Sequence, residues 1–299
     1  MGNESSRHDG SDTIVSACSD NTLKLWDMNM HASYRTFEGH KGAVKGVSRV
    51  DETRFLSCAT DANTHLWDVN SGNFISYKGG KSTIESIATI DNNTFATGDN
   101  EGVVRCYDIR NTDTHIQLFT HHRRPIRNLI QYNNTIITGA GDGQVAVFQL
   151  NKPQPIRTIN IGASILSLAS LGGNLLAAGT DSQVSVCHIN SGNKIKSLEF
   201  GRPSHALIGT DDPCQFIIGC EDGMHGRISM MHFKKGSVTK QYRESHNGKV
   251  TAFNYLKNKN TFVSACSDGS MKVWDTNETN APLHHIPAHD RSINALCHL

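Results

Sequence analysis

The chain has 299 residues, a formal net charge of +1 and 37% hydrophobic residues. Near-neutrality excludes the strongly basic field that nucleic-acid binding relies on, and no run approaches the ~18 consecutive apolar residues of a membrane span. No charged-then-apolar leader opens the sequence, and the eight cysteines show no disulfide framework, so they read as reduced, packed thiols of a cytoplasmic protein, with a nuclear one as the alternative.

Residues 1–12, MGNESSRHDGSD, are polar and lack an apolar pattern, which predicts a disordered tail. The tail begins Met1-Gly2-Asn3-Glu4-Ser5-Ser6, the pattern for N-myristoylation (a lipoprotein) at Gly2 once Met1 is removed. One acyl chain, with only Arg7 as a basic neighbour, implies weak and reversible membrane association. The alternative is a plain tail that begins with glycine.

From Thr13 onward short β-rich runs alternate with turns. VSACSDNTLKLWD ends at Asp27, LSCATDANTHLWD at Asp68, ATGDNEGVVRCYD at Asp108, ITGAGDGQVAVFQ at Gln149, AAGTDSQVSVCHI at Ile189 and VSACSDGSMKVWD at Asp275. Their turn residues, with that of one degenerate copy, are Asp20, Asp61, Glu101, Asp142, Asp181, Asp222 and Asp268, about forty residues apart. That period, with Trp-Asp closing a strand, marks a β-propeller. The unit from His40 to Lys78 contains the runs Ala43 to Val50, Arg54 to Thr60, Thr64 to Val69 and Asn73 to Lys78, parted by turn residues. It predicts four antiparallel strands per blade. Seven units use up residues 13–299, giving an all-β, seven-bladed propeller in one domain. Asp211 to Phe233 resists registration, and Gly223, Gly226 and Gly236 suggest a distorted blade there.

Near the C-terminus His289 is followed by Ile293 and Leu296 at the offsets that Val44 and Val47 keep from His40. Ser292 to Leu299 is therefore expected to be the innermost strand of the blade whose other strands lie between Thr13 and Phe37. Pairing the two termini in one blade removes the open sheet edges.

These motifs resemble the WD-repeat (WD40-type) family across residues 13–299. The resemblance implies a buried His, Ser/Thr, Asp and Trp in each well-formed blade: His40, Ser57, Asp61 and Trp67; His246, Ser264, Asp268 and Trp274; and Ser16, Asp20 and Trp26, completed by His289. Elsewhere the set decays, to Gly80, Glu101 and Tyr107 in one blade and to His122, Thr138, Asp142 and Phe148 in the next. Such Asp-His pairs could activate a nucleophile, but a catalytic group does not recur at a repeat period. No Walker loop, HExxH, CxxC pair or GxSxG occurs. The expectation is no enzyme, no catalytic residue, no metal and no cofactor.

The resemblance also implies docking on the narrower top face, where loops precede each inner strand. Lys41 and Lys45, then Lys81, then His121, Arg123, Arg124 and Arg127 come from consecutive units and form a basic arc suited to an acidic or phosphorylated peptide. The alternative is a solvated surface, partly neutralised by Glu38 and Glu85. In the family the residue five after each blade histidine often touches partners; here these are Lys45, Arg127, Thr251 and Asn294, with Glu85 at the equivalent place. Tyr107-Asp108-Ile109-Arg110 partly resembles the box by which some WD-repeat proteins join the cullin-4 ubiquitin-ligase adaptor through an arginine, here Arg110, although Ala96, Asp99 and Glu101 depart from it. The expected function is a non-enzymatic scaffold or adaptor that binds proteins or peptides within a larger complex. The alternative is a substrate receptor of a cullin-4 ubiquitin ligase.

Overall fold

One piece of local chemistry starts the third strand of most blades. Asp61 Oδ1 accepts a hydrogen bond from Asn63 N–H at 3.0 Å, with Ala62 held at φ +63°, so the chain reverses between strands Arg54–Ala59 and Asn63–Asp68. Asp20 binds Thr22 N–H at 2.9 Å, Asp142 binds Gln144 N–H at 3.0 Å and Asp268 binds Ser270 N–H at 2.8 Å in the same way. A carboxylate that accepts from the amide two residues on mimics a backbone turn. The period in the sequence is thus a period of turns.

The computed structural model describes residues 12–257 and 260–299. The expected tail, Gly2 included, lies outside the described residues apart from Asp12. Asp12 is tied into the ring: its carbonyl accepts from Met28 N–H at 2.9 Å, and its Oδ1 accepts from Lys257 N–H at 2.6 Å and lies 3.0 Å from His298 Nε2.

Among the described residues the strands form seven four-stranded antiparallel sheets. Blade 1 runs outward from Ile293–His298 through Thr13–Cys18 and Thr22–Asp27 to Ala32–Glu38. Blades 2 to 7 begin on the inner strands Val44–Arg49, Ile84–Asp91, Ile126–Tyr132, Ser167–Gly172, Ser204–Gly209 and Val250–Tyr255. The closure expected from sequence is present, with Ile14 opposite His298 and Ser16 opposite Leu296. Each blade packs both faces. Val15, Leu23, Leu25 and Phe37 of blade 1 meet Val44, Phe55 and Trp67 of blade 2, while Ile14 and Trp26 meet Val263, Met271 and Ile286 of blade 7. That is why second strands such as Thr13–Cys18 are buried along their whole length and read as unbroken apolar or small runs.

Blade 6 departs by extension. Its second, third and fourth strands are Gln215–Asp222, His225–His232 and Ser237–His246. A two-residue turn joins the first pair, with Gly223 at φ +63° and Met224 84% exposed. Glycine at the first turn position suits a tight hairpin, and the longer strands carry this one beyond the neighbouring turns. Of the glycines that obscured the register, Gly223 marks its tip, Gly226 lies within its ladder, and Gly236, at φ +71°, sits in the turn at the other end of the third strand.

Candidate functional site

The buried sets come first, because they position the loops above them. In blade 2 Trp67 Nε1–H donates to Ser57 Oγ at 2.8 Å, Ser57 Oγ lies 2.7 Å from His40 Nε2, and His40 Nδ1 lies 3.0 Å from Asp61 Oδ2. Blade 1 repeats this with Trp26, Ser16, His289 and Asp20 at 2.8, 2.7 and 2.9 Å, its histidine contributed from the far end of the chain. In blade 7 Trp274, Ser264 and His246 are joined at 2.8 and 2.7 Å, but the expected His246–Asp268 contact is relayed. Ser270 Oγ stands 3.0 Å from His246 Nδ1 and donates to Asp268 Oδ1 at 2.6 Å. Blade 4 keeps His122, Thr138 and Asp142 in contact around Phe148.

Blade 3 solves the missing histidine differently. Glu101, at the register of the turn aspartate, is exposed. Asp99, 1% exposed, instead caps the turn by accepting from Glu101 and Val103 N–H, and binds Arg105 Nη1 at 2.5 Å. The Arg105 guanidinium lies against Gly80, the position where blades 1, 2, 4 and 7 carry histidine. A charge pair replaces an imidazole–carboxylate pair.

The turn aspartates also hold the loops that follow the histidines. Asp61 Oδ2 accepts from Lys41 N–H at 2.7 Å, Asp142 Oδ2 from Arg123 N–H at 3.1 Å and Asp268 Oδ2 from Asn247 N–H at 3.3 Å. Burial alone would raise Asp61 and Asp142, yet these backbone bonds and the adjacent histidines hold both below the usual carboxylate range. Burial pushes the His40, His122, His246 and His289 imidazoles down, against the pull of nearby aspartates. His65, stacked on His40, is lowered to about 4, by burial first and then by His40. A histidine whose pKa is lower folded than unfolded binds fewer protons when folded, so its contribution is complete above the unfolded value of 6.5 and falls as pH drops below it. The thermal midpoint should therefore be flat from pH 8 to about 7 and decline steadily from about 6.5 to 5. A midpoint unchanged at pH 5 would refute the burial of neutral imidazoles.

Among the described residues three clusters bring metal-ligating atoms within 4.8 Å of one another: Cys18, Asp20 and His289; His40, Asp61 and His65; and His246, Cys266 and Asp268. Burial pushes both thiols up to about 12, so they stay protonated and poor ligands. The His40 and His65 rings are stacked at 4.0 Å with 21° between their planes. Lone pairs lying in near-parallel planes do not converge on one ion. The clusters are packing and hydrogen-bonding sets.

At the centre of the top face is a funnel of about 440 Å³ lined by Lys45, Glu85, Arg127, His205, Thr251 and Asn294, with Leu166, Asn128, Lys249 and Pro125. One device aims most of these side chains. Lys45, Glu85, Arg127, His205, Thr251 and Asn294 are each passed over in the pairing of an inner strand with its neighbour, where the register shifts by one. Such a bulge leaves a residue outside the ladder and re-aims its side chain. Leu166, just before Ser167–Gly172, fills the seventh place. The four positions counted from the blade histidines, and Glu85 at the equivalent place, converge here. His205 and Leu166 were missed because blades 5 and 6 have no histidine to count from.

The funnel residues differ in how free they are. Lys45 and Glu85 face each other at 3.9 Å across the join of blades 2 and 3. Arg127 is exposed, and Lys249 is half-buried. Burial, then Lys249, holds the His205 imidazole below its usual value, although Glu221 stands 3.2 Å away. Thr251 and Asn294 are partly committed to the ring: Thr251 Oγ1 donates to Ile293 O at 2.5 Å, and Asn294 Nδ2 donates to Val44 O at 2.6 Å. Both bonds cross to the next blade. Of the remaining arc residues, Lys41, Lys81, Arg123 and Arg124 are exposed on loops outside the funnel lining, whereas His121 is half-buried with its ring edge-on to His122 and Phe148 and does not join the arc. Arg110 lies on the opposite face, between the third and fourth strands of blade 3, and donates through Nε and Nη2 to both oxygens of Asp108 at 2.9 and 2.6 Å.

Comparison with known proteins agrees with this geometry. The WD domain, G-beta repeat family matches residues 6–27, 32–68 and 236–275. The serine-threonine kinase receptor-associated protein of Gallus gallus is 23% identical over 268 residues, which cover 88% of this chain and 75% of that protein. The U3 small nucleolar RNA-associated protein 15 homolog of Xenopus tropicalis is 26% identical over 220 residues, 71% of this chain but 42% of that protein. A guanine nucleotide-binding protein subunit beta of Zea mays is 29% identical over 191 residues, 57% of this chain and 50% of its own length. Among solved structures, the computationally designed Ika8 protein superposes with a TM-score of 0.75 at 23% identity, over 96% of this chain and 87% of its own.

Proposed function

The chain is a seven-bladed WD-repeat propeller, and from that premise we propose that it is a non-enzymatic interaction scaffold whose partners present acidic segments to the top-face funnel. The observation that carries this is the aim of the bulged strands. Lys45 and Arg127, joined by Lys249, converge on one cavity in which Glu85 is the only lining carboxylate. Basic side chains held around a concave site favour an anionic group and speed its encounter. Two relatives carry names of association, with a kinase receptor and with a small nucleolar RNA, which supports membership of a larger complex here as well. Eight unpaired cysteines, seven of them buried, suit a reducing compartment such as the cytoplasm.

Replacing Lys45, Arg124 and Arg127 by Ala together tests the reading. Each of these side chains is at least partly exposed, so each change should alter stability by no more than about 0.5 kcal/mol. Fluorescence anisotropy with a labelled pool of acidic peptides should show binding weakened roughly tenfold or more. Wild-type binding should itself weaken as salt rises, because exposed charges are screened. Equal binding by variant and wild type would remove the funnel as the docking site. The cullin-4 reading predicts a different pattern. Arg110, exposed and held by Asp108 on the far face, would carry it. Arg110→Ala should then lose the adaptor from purified complexes, while the triple variant keeps it.

A further inference from the structure

Among the side chains that line the funnel, His205 alone is of a type that titrates near neutral pH. It differs from the blade histidines. His40, His122 and His289 each have one ring nitrogen on a hydroxyl and the other on an aspartate, and His246 has both on hydroxyls. His205 is passed over by the strand ladder, its side chain is 22% exposed, and Nε2 stands 3.2 Å from Glu221 Oε2. An ionised carboxylate only accepts, so Nε2 carries the proton of the neutral ring and Nδ1 keeps a lone pair. No partner for Nδ1 is seen among the described residues. Protonation adds one positive charge to the funnel wall and turns Nδ1 into a second donor.

We propose that His205 is a proton-gated contact of the funnel, which binds acidic segments more tightly as the pH falls from about 8 to about 6. This rests on the reading of the funnel as a docking site for such segments. The charges that face the ring come from three blades. Glu221 lies on the second strand of its own blade, Lys249 just before the inner strand of blade 7 and Asp181 in the turn of blade 5. Asp222, beside Glu221, is taken up by Arg202 and Arg227. Burial first, then Lys249, favours the neutral ring, against Glu221 and Asp181. A carboxylate docked in the funnel joins the pull of the two acids and raises the proton affinity of the ring. Coupling of this kind is reciprocal, so protons tighten the ligand by the factor with which the ligand tightens the proton. Affinity is therefore lowest where the ring is neutral both free and bound, and it grows as pH falls through the bound-state value. The blade histidines, with both nitrogens engaged and their pKa values pushed down by burial, add no charge of their own in that window.

The test measures fluorescence anisotropy of the full-length protein at constant ionic strength and about pH 8, 7 and 6. The probes are two fluorescein-labelled peptide pools that differ only in central glutamates or alanines. Glutamate, with an ordinary pKa of about 4.3, keeps its charge throughout, so any slope belongs to the protein. Wild type should tighten on the glutamate pool by up to about fivefold between the extremes, the effect of one unit charge at about 4 Å in water. His205→Gln, which keeps a donor for Glu221 but cannot be protonated, should bind with the same affinity at all three values. Glu221→Gln leaves the imidazole in place and removes an anion that favours its charged form, so the tightening should move to lower pH. A flat wild-type profile, a slope that survives in His205→Gln, or a profile that Glu221→Gln does not move overturns the gate and leaves the funnel reading intact. A wild type that binds glutamate no better than alanine at any pH overturns both.

Discussion

Removing residues 292–299 should convert the protein into an aggregating, protease-sensitive species. The truncation at Arg291 keeps His289 but deletes the strand Ile293–His298, which is the inner strand of blade 1 and its pairing with Thr13–Cys18. Leu296 alone, 8% exposed, is worth about 2–5 kcal/mol by the large-to-small core series, a large share of the roughly 5–15 kcal/mol that holds a domain together. Two bonds between blades go with it, those that use Ile293 O and the Asn294 amide. What remains is worse than a cavity. Thr13–Cys18, buried at every residue, becomes an open hydrophobic sheet edge, the template on which chains pair with one another. Size-exclusion chromatography and limited proteolysis give the readout. A monomeric truncated protein that melts like the full chain would sink the closure.

The architecture could be read because it rests on features with strict spacing. A turn carboxylate, an indole at the end of the following strand and a hydroxyl facing both recur at the repeat period, and their hydrogen bonds leave little freedom of register. Closure through His289 could be read for the same reason. Where hydroxyl and indole are absent the period alone does not fix the register. In blade 5 Ala177 and Cys187 sit at their places, both fully buried, and packing of small apolar side chains does the work without a polar signature. Blade 6 lengthens the hairpin of its second and third strands, which breaks the count between Asp181 and Asp268. The funnel was legible only as far as the histidines reach. Counting forward from them finds Lys45, Arg127, Thr251 and Asn294, but the physical cause is the bulge in each inner strand, which leaves no mark in composition. A signal for the rest did exist. Ile84, Ile126, Val250 and Ile293 are fully buried residues just before a funnel residue, and Ile165 holds that place before Leu166. Blade 6 has Ser204 there instead, buried beside Ser167, so His205 was hidden from that rule too. The exchange of Asp99 and Arg105 for a His–Asp pair was equally hidden, because it depends on which side chain reaches Gly80, not on which stands in register.

Trp67→Ala should cost about 3–5 kcal/mol, the range for truncating a buried aromatic and leaving polar partners unpaired. Trp67 is 1% exposed and packs on Phe37, Phe55 and Phe74, with ring centroids 5.4, 6.3 and 4.6 Å away. Its ring thus joins the outer strands of blades 1 and 2, and its N–H supplies one bond of the set below the Lys41 loop. Volume and hydrogen bond can be separated, because blade 4 has already made the exchange. Phe148 there is fully buried and lacks the N–H, yet His122 still lies 2.7 Å from Thr138 Oγ1 and 3.0 Å from Asp142. Trp67→Phe should therefore keep most of the packing and lose about 1–3 kcal/mol for the Ser57 hydroxyl left with one partner fewer. Chemical denaturation of both variants gives the split. The alanine variant should lose every partner along with the fold, whereas the phenylalanine variant should fold and keep its top-face binding. If the two variants are equally destabilised, the indole N–H and not the ring anchors the blade. If neither is destabilised, the buried set is not what holds the Lys41 loop in place.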